Sequence, residues 1–144
     1  LTKVLIIAAS EDNPKLTCKD IPAFFHHVLE RIDWRRDLHF HTKTTIDTLD
    51  YSGSGWNEGS KVVLACCGQP IRKLGNNLPE NLYLPNGFSD PRIVLPGIIA
   101  IKSPKISDIN QAINERLLLK QNIDIQLNKS FPLIILTGQP SSIN

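Results

Sequence analysis

Trp34-Arg35-Arg36-Asp37-Leu38-His39-Phe40-His41-Thr42-Lys43-Thr44-Thr45-Ile46-Asp47-Thr48-Leu49-Asp50-Tyr51-Ser52-Gly53 is the stretch on which the fold is read, together with Asn57-Glu58-Gly59-Ser60-Lys61 beyond it. Leu38 and Phe40 alternate with Asp37, His39 and His41, the period-two pattern of a short strand. Working backwards, Phe24, Phe25, Val28, Leu29 and Ile32 recur at helical spacing, with His26, His27, Glu30 and Arg31 on the opposite, solvated side. Asp20 is placed to cap this helix over 20–32, and Pro22 falls in its first turn, where a missing N–H costs little. Val4 to Ala8 is a continuous apolar run of the kind that fits a strand covered on both faces. Strand, helix and strand within about forty residues predict a βαβ unit with a right-handed crossover.

Working forwards, Lys61 to Cys66 predicts a third strand. Cys67 to Arg92 shows neither period and carries Pro70, Pro79, Pro85 and Pro91 with Gly68, Gly75 and Gly87. An irregular segment this long is more often functional or interfacial than idle. Pro96-Gly97 marks the entry to a fourth strand, Ile98 to Ile101. A helix is predicted from Pro104 to Lys120, with Ser103 as its cap and Ile106, Ile109, Ile113 and Leu117 as its buried stripe. Leu133 to Leu136 then closes a second strand-helix-strand unit. The expected architecture is α/β, a mainly parallel sheet with flanking helices, in one domain over 1–144.

The long central stretch resembles the C-terminal region of the UbiD-type carboxy-lyases, which carry a segment of the kind RDL-F-(6)-DTLDY-G-(3)-N-GSK. The resemblance extends to Leu1-Thr2-Lys3, to Val28-Leu29-Glu30-Arg31 and to Phe131-Pro132-Leu133-Ile134-Ile135. It implies a C-terminal assembly and closure domain of a larger enzyme, truncated at both ends here. That enzyme would decarboxylate an aromatic or α,β-unsaturated acid, with 4-hydroxy-3-polyprenylbenzoate of quinone biosynthesis as the expected substrate. Prenylated FMN, a divalent metal and a monovalent cation are implied for the full-length enzyme, in a flavin-binding domain of the same polypeptide, together with homo-oligomerisation. No catalytic, cofactor-binding or metal-binding residue of that family is matched to a position in this chain, so the isolated chain is expected to be inactive. Ala8-Ala9-Ser10-Glu11-Asp12 and Thr137-Gly138-Gln139-Pro140 depart from the family, whose relatives are often more acidic there. The alternative is a stand-alone structural or binding module without catalytic activity.

Composition bounds the same question. The 144 residues suit one domain, and 16 basic against 14 acidic residues leave a net charge of +2, too weak a field to imply nucleic acid or anionic membrane. No apolar run approaches the roughly 20 residues of a membrane span. Three cysteines give no disulfide framework and suggest a reducing compartment, so the expected location is cytoplasmic. Arg31, Arg35 and Arg36 are offset by Glu30, Asp33 and Asp37 and read as a solvated face or an intrachain ion-pair cluster, not a phosphate-binding patch.

The candidate chemistry is thin. Gly55 and Gly59 are separated by three residues and followed by Ser60-Lys61, so the spacing and order of a Walker loop fail, and Glu58 stands where a dinucleotide fingerprint needs glycine. His39 and His41 share a strand face roughly 6.6 Å apart, compatible with a shared metal, but no third ligand has zinc-like spacing and hydrogen-bonded histidines are favoured. A small metal-dependent hydrolase built on this pair is a third reading. His26 and His27 read as surface histidines, Asp47 and Asp50 as acceptors of backbone N–H bonds or partners of a basic group, and Cys66-Cys67 as buried rather than redox thiols, one of them facing the core. Leu78, Leu82, Tyr83, Leu84 and Phe88 are too apolar for an idle loop and form the candidate interface, beside a C-terminal strand edge after Leu136.

Overall fold

The computed structural model describes residues 2–45, 55, 58–80, 82–105, 109–127 and 129–138, which divide into two compact units, Leu1–Ile71 and Arg72–Asn144. Asp47, Asp50, Tyr51, Ile106 and Ser52 to Ser54 lie outside the described residues. The order is β1 (Val4–Ala8), α1 (Ile21–Arg31), β2 (Leu38–Thr44), β3 (Gly59–Cys66), β4 (Ser89–Leu95), β5 (Ile98–Lys102), α2 (Ile109–Leu127) and β6 (Leu133–Thr137).

In the first unit the sheet order is β1-β3-β2. β1 runs parallel to β3 from Val4↔Val62 to Ala8↔Cys66, whereas β2 runs antiparallel to β3 from Leu38↔Leu64 to Thr44↔Gly59. The expected parallel unit of β1, α1 and β2 is therefore not formed. Composition explains why: Val62-Val63-Leu64-Ala65-Cys66 suits the central position, while Leu38-His39-Phe40-His41-Thr42-Lys43-Thr44 is too polar for a strand walled in on both faces. β2 takes an edge instead, with an irregularity between His41 and Thr44, and Phe40 is 71% exposed.

The loop leaving β1 keeps pairing through the Ala9 N–H, which donates to the Cys66 carbonyl at 3.2 Å. Asp20 then caps α1, its Oδ1 accepting from the Ala23 N–H at 3.1 Å, and Pro22 lies in the first turn as expected. Val28, Leu29 and Ile32 are buried. His27 is buried with them, which corrects its assignment to the solvated side, whereas His26 is exposed. A single described helix covers only one face of a sheet. The expectation that β1 is covered on both faces fails accordingly, with Val4, Leu5 and Ile7 at 51%, 46% and 45% exposure.

In the second unit the order is β4-β5-β6. β4 and β5 form an antiparallel hairpin turning through Pro96-Gly97, and β5 and β6 are parallel from Ile98↔Leu133 to Lys102↔Thr137, with α2 between them in sequence. Pro91 conceals β4 in the sequence, although a strand tolerates proline at an edge. The chain thus forms two small mixed sheets and two helices among the described residues, not one mainly parallel sheet with flanking helices.

The core of the second unit gathers Phe88, Ile99, Ile101, Leu119, Ile123, Leu127 and Phe131. α2 buries Leu119, Ile123 and Leu127, spaced four apart, and leaves Ile113 and Leu117 at 44% and 47% exposure. This corrects the buried stripe read from the sequence. The helix extends to Leu127 rather than ending near Lys120, so the apolar residues of its second half take the sheet.

Candidate functional site

A polar grouping among the described residues of the first unit lies where β1 and β3 end. Parallel neighbours deliver their carboxyl ends to the same side of a sheet, the side on which open α/β sheets place ligands. Here the loop after β1 is tied to the loop after β3: Asp12 Oδ2 accepts from the Gly68 N–H at 2.7 Å. Gly68 has φ of 93°, a conformation that glycine adopts without a Cβ penalty. Its carbonyl accepts from Arg31 Nε at 3.0 Å, and Arg31 Nη1 donates to the His27 carbonyl at 3.0 Å and to Glu30 Oε2 at 3.3 Å. Arg31 thereby fastens the end of α1 to the Gly68 turn. The expected ion-pair character of the arginine cluster is present in the Arg31–Glu30 and Arg36–Asp37 contacts.

A second polar knot closes the turn into β2. Asp37 is 4% exposed; its Oδ2 accepts from the Asp33 N–H at 2.9 Å and from Arg36 Nη2 at 3.0 Å. The Arg36 hydrogen bond holds the Asp37 carboxyl below the usual range against the opposing effect of burial, with the Asp33 N–H adding to the shift. The carboxylate satisfies local donors and is not poised to take a catalytic proton.

Two further buried groups, His27 and Cys66, are also held quiet. Burial, followed by the Arg31 charge, lowers the His27 imidazole below its ordinary value, and its buried Nε2 has no hydrogen-bond partner among the described residues. Burial pushes the Cys66 thiol up, with the Asp37 charge acting in the same direction, so this cysteine is a poor thiolate nucleophile near neutrality. Cys66 is buried and Cys67 exposed, in line with the expectation that one of the pair faces the core.

His39 and His41 are exposed on the edge strand β2, opposite Val63 and Lys61 respectively. Among the described residues no group of three or more His, Cys, Asp or Glu side chains is arranged to hold a metal ion.

The candidate interface residues occupy distinct places in the second unit. Phe88 belongs to the core, Leu78, Leu82 and Leu84 are partly buried against it, and Tyr83 is 61% exposed. Sequence alone does not separate the inward leucines from the outward tyrosine, because the segment has no regular period. More apolar surface stands on the strands. β1 is a terminal strand of its sheet and carries neither charge, proline nor irregularity, in contrast to the opposite edge, β2, with its histidines, lysine and bulge. Edges of the β1 kind are pairing surfaces unless something covers them.

Comparison with known proteins bears directly on this unit. The family model of the 3-octaprenyl-4-hydroxybenzoate carboxy-lyase C-terminal domain matches residues 1–66, ending on the last residue of β3. Residues 1–66 belong to the UbiD-type C-terminal domain family. A protein of Chlamydia pneumoniae, named as one of the subunits of a 4-hydroxybenzoate decarboxylase, is 35% identical over 74 residues, 51% of this chain and 12% of that protein. An uncharacterized protein of Chlamydia trachomatis serovar D is 42% identical over 74 residues, 51% of this chain and 12% of its own length. One from Chlamydia caviae is 31% identical over 141 residues, 95% of this chain and 21% of its own length, so that similarity runs through both units. The chain spans about a fifth or less of the curated relatives it matches. No solved structure gives a significant match. No described helix is long and apolar enough to cross a membrane.

Proposed function

We propose that this chain is the assembly and closure domain of a prenylated-FMN-dependent, non-oxidative decarboxylase of aromatic carboxylic acids, and that the flavin-binding part of the same enzyme covers the open face and edge at β1. The observation that carries this reading is the state of Val4-Leu5-Ile6-Ile7-Ala8. A run apolar at every position is suited to burial on both sides, yet it stands at a sheet edge with three of its side chains about half exposed. A contact across such an edge would gain main-chain hydrogen bonds and bury Leu5 and Ile7 together, since alternate strand residues share a face.

The substrate side of the reading rests on family and on the name of the Chlamydia pneumoniae relative, and points to a hydroxybenzoate-type acid, with 4-hydroxy-3-polyprenylbenzoate as the expected form. In this scheme the chain's own residues do no bond-making. Asp12, Arg31 and Gly68 fix the two loops at the strand ends, and Asp37 fixes the entry to β2, so that a rigid surface meets the catalytic part. Homo-oligomerisation of the whole enzyme belongs to the same proposal, with Tyr83 the exposed one of the five candidate interface residues.

The test is release of CO2 from 4-hydroxybenzoate and its 3-prenylated analogue. Residues 1–144 alone are expected to give none above a protein-free control, and the full-length enzyme to turn over. Removing this domain from the full-length enzyme is expected to lower turnover at least tenfold. Turnover by the isolated chain, or full activity without it, contradicts the proposal.

A further inference from the structure

A groove of about 410 Å3 in the second unit lies between α2 and β6, lined by Arg116, Leu117, Leu119, Lys120, Ile123, Ile134 and Leu136. Its origin is the phase of α2. Leu119 and Ile123 turn into the core, while Leu117 remains 47% exposed beside them; on β6, Ile134 and Leu136 share a face because they alternate along the strand, and Leu136 is 41% exposed. Arg116 and Lys120 are one helical turn apart and both exposed, so they flank the apolar wall as a pair of cations. No carboxylate is among the described residues that line the groove, and none of the described residues forms an ion pair with either cation.

We propose that this groove binds a single-tailed amphiphilic anion, its apolar tail against Leu117, Ile134 and Leu136 and its carboxylate or phosphate head between Arg116 and Lys120. The size falls within the range of small-molecule sites, roughly 300–1,000 Å3, and the mixture of an apolar wall with a few converging polar groups is the usual composition of such sites. Charge selects among the possible occupants. A second copy docking its own α2 here about a twofold axis would bring like charges together, an arrangement that costs affinity. A neutral apolar ligand would leave the two cations without use. The site is independent of the decarboxylase reading, because it lies wholly in the second unit, beyond the family match.

The test uses the full chain titrated with decanoate and decyl phosphate below their micellar concentrations, followed by calorimetry and by amide shifts in NMR. Saturable binding is expected, with shifts confined to α2 and β6. Decanol and decyltrimethylammonium are expected to bind at least tenfold more weakly. Arg116→Glu/Lys120→Glu is expected to weaken decanoate at least tenfold, and Leu117→Ser several-fold, both with unchanged thermal melts; exposed positions are chosen so that folding is preserved. Decanoate and decyl phosphate binding alike would identify the anionic head in general, and either binding alone would identify that head group. Absence of saturable binding, equal binding of decanol, or full binding by the charge-reversed variant overturns the proposal. So does binding of a Leu/Glu amphipathic peptide where both single-tailed anions fail, which would make this a peptide groove.

Discussion

Two buried residues of the first unit, Asp37 and His27, respond to acid for different reasons. The Asp37 carboxyl is held low chiefly by Arg36, so its contribution to stability is present above the unfolded carboxylate value near 4 and is lost as pH falls through its lower folded value. Asp37→Asn retains shape but loses the charged acceptor of the Asp33 N–H and Arg36. It is expected to cost about 1–3 kcal/mol at pH 7, a difference that narrows below about pH 4; urea unfolding at both pH values measures it. His27 is a base whose folded value lies below its unfolded one, so the unfolded chain binds the proton first and stability falls as pH drops below about 6.5. His27→Phe removes that proton and the unpartnered Nε2 together. The variant is expected to show a flatter stability profile between pH 7 and 5 than the parent chain, and an equally steep fall would show that His27 is not the group responsible. His27 also shows a limit of sequence reading. Polarity alone places it with His26, whereas it precedes Val28 and Leu29 on the helix and the burial of α1 extends one residue further round than the apolar pattern indicates.

Among the elements, those whose signals are local are legible in the sequence and those set by competition between segments are not. Asp20 with Pro22 announces the start of α1, and Pro96-Gly97 announces the turn before β5, because caps and turns are satisfied by their own few residues. The partner of β2 depends on β3 being the more apolar strand, a comparison across about twenty residues that no local period reports. The face of α2 is ambiguous for a related reason. Ile113 and Leu117 follow helical spacing as well as Leu119, Ile123 and Leu127 do, and only the packing with Phe88, Ile99, Ile101 and Phe131 chooses between them. The turn between β4 and β5 offers a paired test. Gly97 has φ of 79°, and a Cβ there would approach Leu74 Cδ2 to 2.7 Å, whereas Gly68 has φ of 93° and nothing within 4 Å of an added Cβ. Gly68→Ala is expected to cost about 1–2 kcal/mol of backbone strain alone. Gly97→Ala is expected to cost more, about 2–5 kcal/mol once overpacking of about 1–3 kcal/mol is added at the hairpin. Denaturant midpoints of the two variants decide whether the contact with Leu74 matters.

At the scale of the whole molecule, family membership is the most legible feature, carried by Trp34 to Gly53 and the Gly59-Ser60-Lys61 that opens β3. The candidate chemistry is not legible as a site because the described residues do not assemble one: His39 and His41 are exposed, Cys66 and Cys67 face different surroundings, and Asp37 is committed to Arg36 and Asp33. What the first unit offers is a braced surface ending in an open apolar strand. Under the proposed function, that surface makes a definite demand on a flavin-binding partner. The most direct measurement is sedimentation velocity of this chain mixed with the separately expressed flavin-binding domain, beside a Leu5→Lys/Ile7→Lys variant whose folding is verified by its thermal melt. The account predicts a one-to-one complex for the natural chain and its loss in the variant; two folded components sedimenting independently through the whole concentration series, or a complex indifferent to both lysines, would contradict it.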